Sequence, residues 1–276
     1  MKSVTNIRQI TSAMEMVAAS KLQKAQDATF ASRLYASSAR EVLTRLKMIS
    51  SVGHPFFAPI NDAPILYIVF TSDRGLAGAY TAKVMKELVR SARNTEHAKI
   101  IMIGKRGAQL LSRLQHSFDV IGVYPSWQRH PTLADISPIA QTAMQLFRDS
   151  TIGQVVLVYT DFHSMSHQEA ISKPILPISE REVSDAAIIG DEQVRMEPSA
   201  EELLEHVLPR FIEVQIYQAS LEAAASEHMS RMTSMHAASD NASDIIDSLT
   251  LEYNSARQAG ITQELAEIAA GAQAIL

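Results

Sequence analysis

The sequence contains no cysteine. That excludes disulfides, thiolate metal sites and thiol catalysis, although it does not by itself identify a redox compartment. Long hydrophobic runs are also missing: the stretches Ile65–Phe70 and Val155–Tyr159 fall far short of the ~20 residues that a bilayer-spanning helix needs. The N-terminus, MKSVTNIRQI, has no apolar signal core, and the acidic Glu15 and Asp27 are unlike a transit peptide, so a cytoplasmic or other non-exported site is expected. Glycine and proline are absent from Met1 to Val52 and again from Arg210 to Ala259, and all ten prolines lie between Pro55 and Pro209. Both bare stretches are rich in Ala, Met, Leu, Gln, Glu, Lys and Arg, residues that lose little freedom in a helix, so each predicts one long helix.

What is present supports a real core: 46% of the 276 residues are hydrophobic. The net charge of -5 is unevenly spread. Residues 1–50 hold eight Lys/Arg against three Asp/Glu, whereas residues 199–276 hold three against twelve. The two ends are therefore electrostatically complementary.

In the C-terminal stretch, apolar or small residues recur at Phe211, Val214, Gln218, Leu221, Ala225, Met229, Met232, Met235, Ser239, Ala242, Ile246, Leu249, Tyr253 and Ala256. This three-four alternation is a coiled-coil seam. The N-terminal stretch repeats it more weakly through Val4, Ile7, Thr11, Met14, Ala18, Lys21 or Leu22, and Ala25, continuing to Leu43 and Leu46. Alanine, serine and methionine outnumber leucine in the seam, so the helices can approach closely but gain less from burial than a leucine zipper does. Such a stem calls for a surrounding partner. The second helix has a capping signal at Ser199 with Glu202 three residues on, and Pro209 predicts a kink or short break.

Between the helices, strand and helix patterns alternate: strands over 65–71, 99–103 and 154–159, and helices over 79–93, 107–114 and 135–149, with an irregular or hairpin return over 171–197. The expected fold is an α/β domain with a mostly parallel sheet (55–198) inserted between two long terminal helices (1–54 and 199–276) that form an antiparallel coiled coil.

Candidate chemistry is sparse. The loop Thr71–Gly78 follows a buried strand and precedes a helix, a place suited to phosphate. Yet it has neither GxGxxG nor GxxxxGK[ST], and a structural turn or partner-contact loop is the preferred reading. Gly104-Lys105-Arg106-Gly107 takes the same discount. His163 and His167 sit four apart with Asp161 and Glu169 nearby, but in an expected loop and without the HExxH order. His228 and His236 read as solvated or stem-facing, Met229, Met232 and Met235 as adaptable seam packing, and no nucleophile elbow is present. No catalytic, cofactor or metal residue is assigned.

Three segments carry a resemblance to a known family. Tyr253 to Ala272, with Ile261, Thr262, Glu264, Glu267, Gly271 and Ala272, resembles the C-terminal signature of gamma subunits of F-type ATP synthases of bacterial type. Asn6–Thr11 with Ala13–Leu22 looks like the family's N-terminal helix, and Thr71–Gly78 like its T-S-D-R-G-L-C-G-G loop, with Ala77 and Ala79 where cysteine and glycine are usual. The sequence begins later than typical members, so part of the N-terminal helix is expected to be missing. The resemblance implies a central rotor without an active site of its own, turning inside a ring of alpha and beta subunits. Its α/β domain would stand on the c-ring beside epsilon, peripheral to the cytoplasmic face of the bacterial inner membrane, with no cofactor. It further implies that Arg257, Gln258, Thr262 and Glu264 meet beta catch loops, that Met14, Lys21, Leu76, Ala77 and Gly78 lie near the beta levers, and that Val194, Arg195, Met196 and Glu197 lie near the c-ring. Two alternatives remain from the residues alone: a doubly wound enzyme whose helices only dimerise, and a non-rotary coiled-coil adaptor.

Overall fold

A computed structural model of the chain describes residues 1–49, 54–60, 62–93, 95, 97–113, 118–127, 131–164, 167–179 and 199–273. Helix α1 covers Lys2–Ile49; then follow β1 (Ile65–Phe70), α2 (Tyr80–Ser91), β2 (Lys99–Ile103), α3 (Lys105–Leu111), β3 (Asp119–Tyr124), α4 (Leu133–Arg148), β4 (Gln154–Phe162), β5 (Gln168–Leu176) and α5 (Ala200–Gln273). The chain divides into two compact units, residues 19–231 and residues 1–18 with 232–276.

Within residues 19–231 the five strands form one sheet in the order β3-β2-β1-β4-β5. The pairs β1/β2, β1/β4 and β2/β3 are parallel and β4/β5 is antiparallel. The uninterrupted apolar character of β1 is the mark of a strand covered on both faces. Leu66, Ile68 and Phe70 point into one core with Ile101, Ile103, Leu157, the apolar face of α4 and the first turns of α5. Tyr67 and Val69 point into the other, with Ile100, Met102, Val158 and the stripe Tyr80, Val84 and Leu88 of α2. The sheet is thus the middle of three layers. Helix α4 opens with a capping box, in which the Thr132 backbone N–H donates to Asp135 Oδ2 at 2.9 Å.

Two elements depart from the sequence expectation. The Pro209 break is absent: α5 runs unbroken through it. A proline forfeits one intrahelical hydrogen bond, but Leu208, Phe211 and Ile212 are buried on either side of it in the main core, and their burial outweighs one bond. Strand β3 went unread because it contains Gly122 and lies at the sheet edge with an exposed, unpatterned sequence. The return over 171–197 begins as β5, which carries Pro174 on the opposite edge; residues 180–198 lie outside the described ones. At the start of α5 the Ser199 hydroxyl accepts from the Glu202 backbone N–H at 3.2 Å, as the capping signal implies.

The seam positions largely face inward. In residues 19–231, Leu22, Ala25, Phe211, Val214, Leu221 and Ala225 are buried, and Leu22 rather than exposed Lys21 takes the disputed position. In residues 1–18 with 232–276, Ala18, Met235 and Ala242 are buried and Met14, Met232, Ile246 and Leu249 half-buried. There His236 Nδ1 lies 3.0 Å from Glu15 Oε1, joining α1 to α5. Beyond Leu249 the helix is bare, with Leu251, Tyr253, Ile261, Leu265 and Ile268 exposed to water.

Candidate partner-contact surfaces

In an open α/β sheet the ligand crevice lies beyond the carboxyl ends of the strands, where the strand order reverses. Here that point is β1, flanked by β2 on one side and β4 on the other. Both glycine-bearing loops converge on it and bind each other. The Thr71 hydroxyl donates to the Ile103 carbonyl at 2.8 Å and accepts from Gly107 N–H at 3.2 Å. Asp73 Oδ1 accepts from the backbone N–H groups of Lys105, at 2.9 Å, and Ser126, at 3.0 Å. Gly104 is held at φ 103, and a side chain on either Gly104 or Gly107 would collide with Thr71. Backbone donors that a phosphate would need are therefore occupied by this chain's own carboxylate and hydroxyl. The glycines serve a tight junction, which explains their spacing without a nucleotide.

The crevice itself is crossed by α5. Only about 30 Å³ remains between Phe70, Thr71, Tyr80 and Trp127 on the sheet side and Ala223, Glu227 and His228 on the helix. Glu227 pairs with Arg231 at 2.7 Å; burial nonetheless raises its carboxyl above the usual range. Burial, helped by Arg231 and Lys21, lowers His228 to about 4, so the imidazole is neutral. Burial also holds the Tyr80 hydroxyl protonated far into alkali. These shifts come from the packing of a helix, and no nucleophile and base face each other there.

The outer side of the same loop is open. A recess of about 310 Å³ is lined by Arg74, Arg106 and Arg113 with Leu76 and Gly78 at its rim, and Asp73 is turned away into the junction just described. The recess is basic and suits an acidic surface. Leu76 (59% exposed) and Gly78 face outward, whereas Ala77 is buried and anchors the loop. Lys21 is exposed and Met14 half-buried. Arg257, Gln258, Thr262 and Glu264 are all exposed on the bare end of α5, with the Thr262 hydroxyl returning to the Gln258 carbonyl at 2.9 Å. Val194, Arg195, Met196 and Glu197 lie outside the described residues. His163 and His167 stack with ring centroids 5.3 Å apart at the β4–β5 connection, with Asp161 near His163. Among the described residues no group of three or more His, Asp or Glu is set to hold a metal ion. None of them belongs to a helix long and apolar enough to cross a membrane.

Sequence reasoning missed the side chains that hold α5 across the strand ends. Ser226 Oγ donates to the Thr160 carbonyl at 3.2 Å, and Ser230 Oγ to the Ala77 carbonyl at 2.6 Å. Arg33 of α1 donates to Glu222 at 3.1 Å and to the Phe162 carbonyl at 2.8 Å. The available signal was the polar recurrence Gln218, Glu222, Ser226, Ser230 at intervals of four within an alanine-rich run.

A doubly wound domain whose strand-end crevice is filled by its own long helix, with a basic loop and a bare helix end exposed among the described residues, has the form of a helix-mounting subunit. Similarity to known proteins makes the assignment specific. The family model described as ATP synthase matches residues 1–275. The ATP synthase gamma chain of Brevibacillus brevis is 42% identical over 283 residues, covering 99% of this chain and 95% of the relative. That of Alkaliphilus metalliredigens is 36% identical over 278 residues, covering 99% and 96%. Among solved structures, a chain of the Tetrahymena thermophila mitochondrial ATP synthase central stalk and c-ring superposes with a TM-score of 0.62 at 24% identity, covering 83% of this chain and 99% of that one. A chain of the Euglena gracilis mitochondrial ATP synthase rotor gives 0.63 at 17% identity, covering 94% and 95%. The chain belongs to the ATP synthase gamma chain family.

Proposed function

We propose that the chain is the central rotor subunit of a bacterial F-type ATP synthase, coupling ion-driven rotation of the c-ring to conformational change at the catalytic sites of the beta subunits. It carries no active site of its own. The observation that carries this reading is the match to gamma chains along nearly the whole chain. Its partners are the alpha and beta ring, epsilon and the c-ring, and its place is peripheral, on the cytoplasmic face of the membrane.

In this reading the terminal helices (1–54 and 199–276) form an antiparallel coiled-coil stalk, and residues 55–198 form the foot. The Glu15–His236 contact and the inward-facing Ala18, Met235 and Ala242 support the pairing. The bare apolar end of α5 supports enclosure by a sleeve, because water-exposed Leu251, Ile261 and Leu265 gain free energy when a partner covers them. Arg257, Gln258, Thr262 and Glu264 are exposed there to change hydrogen-bond partners with beta catch loops as the rotor turns. Leu76 and Gly78, at the rim of the basic recess, meet the beta levers, with Lys21 and Met14 contributing from α1.

Assembly tests the reading. Mixed with cognate alpha and beta chains, the protein is expected to form an alpha-three-beta-three-gamma complex with raised ATPase activity. No complex, or saturable nucleotide binding to the isolated chain at the β1 crevice, contradicts the rotor.

A further inference from the structure

Glu222, Ser226 and Ser230 stand at intervals of four on α5 and so share one face of the helix. That face lies against the carboxyl ends of β4 and β1, and the side chains of Glu222, Ser226 and Ser230 each find a partner outside their own helix. Ser226 holds the Thr160 carbonyl at the end of β4, and Ser230 holds the Ala77 carbonyl in the loop after β1. Glu222 holds Arg33, whose guanidinium also grips the Phe162 carbonyl, so one side chain joins α1, β4 and α5. Gln218 completes the row with a 2.7 Å bond to Glu222.

The surrounding contacts could not hold the helix in this way. Around the row α5 presents Ala219, Ala223 and Ala225 with a single larger side chain among them, Leu221, all buried. Alanine raises only shallow ridges, and apolar burial is non-directional, so it resists separation much better than it resists sliding or turning about the helix axis. A hydrogen bond to a backbone carbonyl anchored in a sheet is directional and weakens steeply with misalignment.

We propose that Arg33, Glu222, Ser226 and Ser230 are positioning residues that form a torque latch: they key α5 to the strand ends so that rotation of the sheet domain is delivered to the long helix and not lost as slippage. This rests on the rotor reading above and adds the residues that make the shaft rigid at its base.

The test uses the assembled complex in membrane vesicles, with ATP hydrolysis and ATP-driven ion uptake measured on the same preparation. In Ser226→Ala/Ser230→Ala, assembly and hydrolysis are expected to stay near the parent while the ratio of uptake to hydrolysis falls by at least about threefold, within the range that one lost hydrogen bond spans. Ser230→Thr, which keeps a hydroxyl, is expected to restore most of the ratio. Ser243→Ala is the control, because that hydroxyl donates within its own helix, to the Ser239 carbonyl. Should the double variant fail to assemble, Ser230→Ala alone is read in the same way. An unchanged ratio overturns the latch, and so does an equal loss in Ser243→Ala. Failure of the parent chain to assemble with alpha and beta overturns the rotor reading instead.

Discussion

Arg33 and Glu222 meet across 189 positions of sequence, with guanidinium Nη2 3.1 Å from carboxylate Oε1. Glu222 is buried, and desolvation raises its carboxyl above the usual range despite the bonds from Gln218 and Arg33. The pair therefore matters more for what its loss leaves behind than for its own attraction. Arg33→Ala is expected to cost roughly 2 kcal/mol, less than a fully buried pair because Arg33 is partly solvated. Adding Glu222→Gln should recover about half of that, since an uncharged amide tolerates the site better. Chemical denaturation of the isolated chain reads both; an Arg33→Ala cost indistinguishable from zero would show that the pair does not stabilise the fold.

His228 sets an acid limit to stability. The unfolded imidazole takes up a proton near 6.5, the folded one only near 4. Stability from the neutral ring is fully present above 6.5 and is lost as the pH falls toward 4, by at most roughly 3 kcal/mol. The raised carboxyl of Glu227 works in the opposite sense: it favours the folded state as the pH falls toward the ordinary carboxylate range. The two partly cancel in the parent chain. His228→Asn removes one of them, so its stability relative to the parent should improve steadily from pH 7 to pH 5 in thermal unfolding. A difference that does not change with pH would falsify the assignment.

Two glycines should respond in opposite ways. Gly104→Ala places a methyl group at φ 103 against the Thr71 backbone, and a loss of about 2 to 3 kcal/mol is expected. Gly260 lies within α5 with nothing inside 4 Å of its missing Cβ. Gly260→Ala should raise helix stability by about 0.5 to 1 kcal/mol. Melting curves of both variants, followed by circular dichroism, check the contrast.

The exposed tip should be separable from the fold. Arg257→Ala and Gln258→Leu alter side chains that face water, so the melting temperature of the isolated chain should move by no more than a degree or two. Assembly or coupling in the complex should weaken severalfold. A lowered melting temperature with unchanged coupling would reverse the roles given to these residues.

The long helices were legible because some fifty residues of good helix formers, with neither glycine nor proline to turn the chain, have little else to become. Strands β1, β2 and β4 were legible because a sheet buried on both faces demands continuous Val, Ile and Leu. Strand β3 was hidden by the converse: at an exposed edge nothing selects an apolar pattern, and Gly122 interrupts it. The family segments at both ends and at Thr71–Gly78 were readable as local strings. The closure of the crevice was not, because it depends on α5 returning across strands laid down some sixty to one hundred and fifty positions earlier. Nor could spacing reveal that Asp73 spends its carboxylate on two backbone amides, a partnership that exists only once three loops meet.

The seam within residues 1–18 and 232–276 relies on thioethers, with Met235 buried and Met14 and Met232 half-buried along it. In a chain without cysteine, methionine sulfur is the most readily oxidised group, and three of the twelve methionines lie here. Conversion to sulfoxide would place a strong dipole in a contact that alanine cannot reshape itself around, although methionine sulfoxide reductases can undo it. Oxidative stress would then loosen this seam reversibly, and its half-buried Met14 and Met232 are reached before the buried Met102 of the sheet core.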